Sequence, residues 1–295
     1  MRKSPQSRKV TRSLLDRTPL PQPGADSDKE ARGRVLVVGG EAALPGAVLL
    51  AGIAALRAGA GKLQLASVAS IATHIGVAIP ESLSISLRET GSGTIHPGEA
   101  KVLREYVAHT NALLIGPGTK PGKSNDRLVR SLLEIETEAG VVLDAGALGI
   151  LSSVPDVLLS RDGNAIVTPH YSEMAMILGM DESDVESNAH HVALHAAVAF
   201  GAVVALKGPQ THIASPDGTV FLYDSGDVGL ATSGSGDTLA GIVAGLLARG
   251  ADPLTAALWA VYLHGEAGNA LARRMGRIGY LARELLAEIP MLMRS

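Results

Sequence analysis

The sequence predicts an α/β domain built on a mainly parallel sheet with helices on both faces. Three observations lead there. Short β-branched apolar runs recur along the chain, and most end in glycine or a small polar cluster. Segments with helical apolar spacing separate them, and strands alternating with helices form parallel sheets covered on both sides. No internal repeat or second linker divides the chain after about residue 30.

The run RVLVVGG (34–40) reads as a buried first strand. PGAVLLAGIAALRAGAG follows as a helix, with Pro45 suited to its first turn. KLQLAS (62–67), NALLIG (111–116), GVVLDAG (140–146), AIVTPH (165–170) and AVVALKG (202–208) continue the strand pattern. THIAS and TVFLY flank Pro216-Asp217-Gly218 and read as a β-hairpin. The final third is helical: TLAGIVAGLLARG, then PLTAALWAVYLHGEAGNALARRM, then a shorter C-terminal helix. Ligands of such sheets bind at the carboxyl ends of the strands, so the terminal Gly, Asp144, His170 and Lys207 clusters should share one rim.

Composition narrows the function. The chain has 295 residues, 46% of them hydrophobic, enough for a large core. A net charge of −3 and 3% aromatics argue against a nucleic-acid partner. The absence of cysteine removes disulfides, thiolate metal sites and thiol nucleophiles, and suits the cytoplasm. No apolar run is long enough to span a membrane. The basic start, MRKSPQSRKVTRSLLDR, lacks the apolar stretch of a signal peptide. Residues 1–30 are expected to form a partly disordered arm, and 31–295 a single catalytic domain.

Two glycine-rich stretches invite a phosphate. In LLIGPGTKPGKSND (113–126), five residues lie between Gly116 and Gly122-Lys123-Ser124 where a P-loop has four, and Pro117 lacks an amide donor. This stretch reads instead as a strand-to-helix loop, with Ser124 or Asn125 capping the helix. GLATSGSGDTLAGIVAGLLARG (229–250) is the stronger anion site. Gly234, Ser235 and Gly236 lead into an apolar helix, and amides there would face a phosphate from the helix's positive end. Asp237 reads either as a helix cap or as a general base beside the transferring phosphoryl group.

At this loop the chain becomes recognisable. GSGD followed by a helix resembles the anion-hole motif of the ribokinase-like superfamily. More narrowly, the chain resembles the ADP/ATP-dependent NAD(P)H-hydrate dehydratase family, which is carbohydrate-kinase-like. The matching pieces are GG-x4-PGA-x-LLAG-x-AALRAGAGKL, LLIGPG, VVLDAGAL, TPH-x2-E, LKG-x-QT, GLATSGSGDTLAGIVAGLL and AVYLHGEAG, in order over nearly the whole body.

The resemblance implies a three-layer ribokinase-like fold. It implies a hydro-lyase acting on NADHX or NADPHX, whose ring hydroxyl is phosphorylated by ADP or ATP with Mg²⁺ and then lost as phosphate. By motif position, Asp237 takes the hydroxyl proton and Gly236 contacts the nucleotide. Lys207, Gly208, Pro209, Gln210 and Thr211 form the nucleotide segment. Ala47, Gly118 and His170 line the hydrated-nicotinamide site together with Asp237. The family resemblance and an Ala/Leu-rich surface imply a homo-oligomer, a tetramer. Other readings of the same fold are a kinase of another alcohol and a non-catalytic nucleotide binder.

Some residues stay open. Asp144 could assist Mg²⁺ through water or cap a turn. A buried Lys207 would need a charged partner. His191 and His195 have i, i+4 spacing but no evident third ligand, so a solvated helix face is expected and no protein metal cage. The chain departs from the family pattern at Glu41, Thr119, Tyr171-Ser172 and Asp227.

Overall fold

The computed structural model describes residues 7–24, 26 and 28–294. Ten strands make one sheet: β1 (Arg8–Lys9), β2 (Arg34–Val38), β3 (Lys62–Val68), β4 (Ser82–Leu87), β5 (Ala112–Ile115), β6 (Gly140–Leu143), β7 (Ala165–Val167), β8 (Val203–Leu206), β9 (Thr211–Ala214) and β10 (Val220–Tyr223). The helices are α1 (Arg12–Leu15), α2 (Pro45–Arg57), α3 (Ala69–Ala78), α4 (Ala100–Ala108), α5 (Lys123–Leu133) and α6 (Ile150–Ser153), then α7 (Tyr171–Leu178), α8 (Glu182–Ser187), α9 (Ala189–Phe200), α10 (Ser235–Ala248), α11 (Pro253–Met275) and α12 (Ala282–Leu292).

The strand order is β1-β10-β9-β8-β7-β6-β5-β2-β3-β4. From β4 to β8 across the sheet every pairing is parallel; β8, β9 and β10 are antiparallel, and β9–β10 is the expected hairpin. The chain runs outward from β2 through β3 and β4, then returns to β5 on the other side of β2. The strand order therefore reverses between β2 and β5, the place where open α/β sheets bind ligands.

Period-2 alternation buries both faces. Val35 and Val37 of β2 enter one core with α2, α10, α11 and α12, while Leu36 and Val38 enter the other with α4, α5, α7 and α9. The first core is unusually close. A Cβ at Gly241 or Gly245 of α10 would run into the Ala51 or Ala55 carbonyl of α2, so those glycines let the two helices touch through backbone.

Four expectations change. Most strands end earlier than the apolar runs suggest, although β3 runs one residue further, to Val68: β7 stops at Val167, and Pro169 has no amide to extend its ladder. Strand β4 was not foreseen; its serines alternate with Leu83, Ile85 and Leu87 at an edge, and only Ile85 and Leu87 are buried. Helix α5 is capped by Gly122 without any side-chain bond, not by Ser124 or Asn125. The first six residues of the expected arm lie outside the described residues. The described part of it from Ser7 on is docked: β1 pairs with β10, Leu15 is fully buried, and the Trp259 indole donates to the Thr18 carbonyl at 2.8 Å.

Candidate active site

Three neighbouring strands deliver the polar centre of the site. Asp144 follows β6, Thr168 follows β7 and Lys207 follows β8, so parallel register alone sets them side by side. Thr168 Oγ1 donates to Asp144 Oδ1 at 2.7 Å, and Lys207 Nζ donates to the same oxygen at 3.1 Å. Thr168 and Asp144 are buried, and the Lys207 side chain is 18% exposed.

Helix α7 adds the next layer. His170 is its N-cap and Glu173 its third residue, and the two form a capping box. The Glu173 amide donates to His170 Nδ1 at 3.2 Å, and the His170 amide donates to Glu173 Oε2 at 2.8 Å. Ser172 Oγ lies 2.9 Å from the same Nδ1. With Nδ1 accepting, the ring hydrogen belongs on Nε2, which stands 3.4 Å from Glu173 Oε2. Glu173 Oε2 is also 3.9 Å from Lys207 Nζ. A single-residue parallel bridge joins His170 to Lys207, with the Lys207 amide donating to the Pro169 carbonyl at 2.8 Å.

Helix α10 brings the acid. Gly234 is the N-cap, with φ +86°, a conformation that glycine adopts without a steric cost. Ser235 and Gly236 follow, and Asp237 is the third residue of the helix. The cap role open to Asp237 in the sequence is therefore filled by Gly234. A Cβ at Gly236 would lie 3.4 Å from Lys207 Nζ, which fixes this turn against the lysine. Burial raises the Asp237 pKa to about 7, Asp144 and Glu173 add repulsion, and Lys207 works in the opposite direction. For Lys207, burial disfavours the charge, but Asp144, Glu173 and Asp237 more than offset it, and its pKa lies above the ordinary lysine value.

His264 of α11 is a member of this site that the sequence reading missed. Its Nε2 lies 2.8 Å from Ser235 Oγ. Burial lowers its pKa to about 4, so the imidazole is neutral at pH 7. Its sequence signal was weak: it is one of several polar residues in a helix that also carries Thr255, Glu266 and Asn269.

Two of the other predicted positions, Ala47 and Gly118, meet at the strand-order reversal. A Cβ at Gly118 would meet Ala47 Cβ at 3.0 Å, and the Gly40 amide donates to the Pro117 carbonyl at 2.8 Å. Leu50 of the same helix, α2, packs over Gly234. Helix α2 thus reaches the Gly118 loop through Ala47 and the start of α10 through Leu50. Gly208, Pro209 and Gln210 form an exposed turn between β8 and β9, and Thr211 begins β9.

The departures sort out physically. Glu41 is buried and accepts the Lys120 amide at 3.0 Å. Asp227 accepts the Gly229 amide and Arg277 Nε, each at 2.9 Å, so its charge is already engaged. His191 and His195 are exposed on α9, and the described residues hold no cluster of three or more metal-binding side chains. The hard oxygens of Asp144 and Glu173 beside Lys207 suit a Mg²⁺ carried in by phosphates, which needs few protein ligands.

A carboxylate with a pKa near 7 and a largely buried cation stand beside a helix start. Such a set can deprotonate an alcohol while stabilising a transferring phosphoryl group. Comparison with known proteins agrees. A family model described as NAD(P)H-hydrate dehydratase matches residues 35–291. An ADP-dependent (S)-NAD(P)H-hydrate dehydratase of Xanthomonas campestris is 47% identical over 286 residues, 97% of this chain and 96% of that protein. The Bacillus subtilis ADP/ATP-dependent NAD(P)H-hydrate dehydratase, co-crystallised with ATP/Mg²⁺, superposes with a TM-score of 0.80 at 30% identity, covering 99% of this chain and 98% of that one. A ribokinase-like superfamily protein of Enterococcus faecalis gives 0.82 at 25% identity, covering 97% and 95%, and the fold is ribokinase-like.

Proposed function

Because this chain belongs to the NAD(P)H-hydrate dehydratase family, we propose that it repairs NADHX and NADPHX at the expense of ADP or ATP, with Asp237 as the general base. The observation that carries this reading is Asp237 itself: a carboxylate in the first turn of α10, next to Lys207 through Gly236, with a pKa near neutrality.

The substrate ring would lie against Ala47, Gly118 and His170, with its hydroxyl between Asp237 and the nucleotide's terminal phosphate. Lys207 and the turn to Thr211 would hold the nucleotide phosphates. Asp237 takes the hydroxyl proton as the oxygen bonds to phosphorus and the shorter nucleotide leaves. The amides of Gly234, Ser235 and Gly236 stabilise the charge on the phosphoryl oxygens. The ring nitrogen lone pair then expels phosphate, and loss of a proton from the neighbouring carbon restores the dihydropyridine. Asp144 and Glu173 are the residues that would hold Mg²⁺, through water, and the ion would neutralise phosphate charge. The same reading makes the enzyme a cytoplasmic homotetramer. It is supported by the cysteine-free sequence and by exposed Val77 and Leu83 beside the open edge strand β4.

Incubation with NADHX and ADP or ATP tests it. NADH absorbance should return with one phosphate released per ring. A phosphorylated product that keeps its phosphate would mark a kinase instead, and nucleotide binding without turnover a non-catalytic relative.

A further inference from the structure

Tyr171 stands at an unusual contact. A Cβ at Gly208 would run into Tyr171 Cζ and the hydroxyl oxygen, so the hydroxyl-bearing edge of the ring occupies the space that any other residue at 208 would need. The Tyr171 hydroxyl reaches the Gln210 carbonyl at 3.5 Å, a weak bond at best. The ring is half-buried, packs against the core of its own side of the sheet, and belongs to the first residue of α7. The next residue back is His170, bridged to Lys207. Tyr171 thus touches both ends of the Gly208–Gln210 turn from a rooted helix, while the turn itself is exposed.

We propose that Tyr171 is a positioning residue for the nucleotide: its ring holds the 207–211 turn in the shape that receives the phosphates. The proposal rests on the functional reading above, which assigns that turn to the nucleotide. A turn already ordered loses less freedom when the ligand arrives, so the latch should act on affinity for the nucleotide and not on the chemical step. The contact with Gly208 is the hydroxyl-bearing ring edge against backbone, and the contact with Gln210 is the hydroxyl's, so ring and hydroxyl both contribute.

Calorimetric titration with ADP tests this, with NADHX kinetics alongside. Tyr171→Phe keeps the ring but loses the hydroxyl, and should bind ADP more weakly than wild type but more tightly than Tyr171→Ala. Tyr171→Ala should weaken ADP about tenfold, leaving kcat and the NADHX KM within about twofold. Tyr171→Pro should do the same, since the first helical position tolerates proline, and it serves if the alanine variant does not fold. Gly208→Ala should weaken ADP strongly beside the tyrosine, whereas Tyr171→Ala/Gly208→Ala should bind no worse than Tyr171→Ala alone. If wild type binds ADP and Tyr171→Ala and Tyr171→Pro bind equally well, the latch is refuted and the functional reading stands. If Tyr171→Ala and Gly208→Ala instead weaken ADP by factors that simply multiply, the latch is also refuted. If wild type binds neither ADP nor ATP, the functional reading falls and takes the latch with it; if it binds ATP alone, the same titrations are read with ATP.

Discussion

Lys207 Nζ donates to Asp144 Oδ1 at 3.1 Å, joining the ends of two strands that are not themselves adjacent. Between them runs β7, whose Thr168 donates to the same oxygen. One carboxylate oxygen therefore ties three strand ends together and keeps a cation beside the start of α10. The pair also sets the charge felt by Asp237, because Asp144 raises its pKa while Lys207 lowers it.

Removing the cation should be costly in two ways. Lys207→Met leaves Asp144 buried with only Thr168 as partner, and a buried charge stripped of its partner destabilises by about 3 kcal/mol. Denaturant melts should show that loss. ADP affinity should fall at least tenfold in the same protein, measured below its unfolding transition. Wild-type affinity would remove Lys207 from the phosphate site.

Removing the base should spare binding. Asp237→Asn keeps the shape of the carboxylate but cannot accept the hydroxyl proton. General-base effects are about 10²–10⁴-fold, so kcat should fall by roughly 3–5 kcal/mol of barrier. ADP titration should still give near wild-type affinity. Turnover at the wild-type rate would eliminate the role given to Asp237.

Much of the candidate site was legible because its signals are local. A glycine-rich turn running into an apolar helix marks an anion site within ten residues, and Lys207 ends an apolar strand. What escaped notice depends on distant partners. His264 has a role only because α11 brings it to Ser235, twenty-nine positions away in sequence. The N-terminal segment looks like a basic tail until Arg249 Nη2 donates to the Pro21 carbonyl and Trp259 to that of Thr18, each at 2.8 Å. Strand β4 escaped because half its residues are serines at a sheet edge, where burial need not be continuous.

The Asp144 carboxylate should be visible in the pH profile. In the free enzyme, kcat/KM for NADHX should rise with an acidic limb near pH 7, where Asp237 loses its proton. Asp144→Asn removes a repelling charge and leaves Lys207 less neutralised. Both changes favour ionised Asp237, so the limb should move to lower pH even if the maximum rate drops. A limb that stays in place would mean that another group controls it.

His264 should make acid unfolding easier. Its pKa lies near 4 in the fold and near the ordinary 6.5 when unfolded, so between those values the unfolded chain binds more protons. Its contribution is present above pH 6.5 and is lost as pH falls toward 4. His264→Asn cannot take up that proton. Relative to wild type, the variant should gain stability on going from pH 7.5 to pH 5, read by thermal melts with matched ionic strength. Parallel curves would show that the imidazole does not titrate in this way.

Asp237 should show the opposite slope. Its pKa is about 7 in the fold against 3.8 in the reference state, so the folded chain holds the proton more tightly. That raised pKa favours folding at acid pH, and the advantage is lost as pH climbs from 4 through 7. At pH 8 the ionised carboxylate is a burden on the fold of roughly 2–4 kcal/mol, taking 1.36 kcal/mol per pKa unit and allowing for its coupling to Asp144 and Lys207. Asp237→Asn removes the ionisation. The inactive variant should therefore melt several degrees above wild type at pH 8 and together with it at pH 4. This is the trade expected where a catalytic group is kept in a site that disfavours its charge. A constant difference between the two melting curves at all pH values would mean that Asp237 is not held near neutrality, and the general-base assignment would lose its electrostatic support.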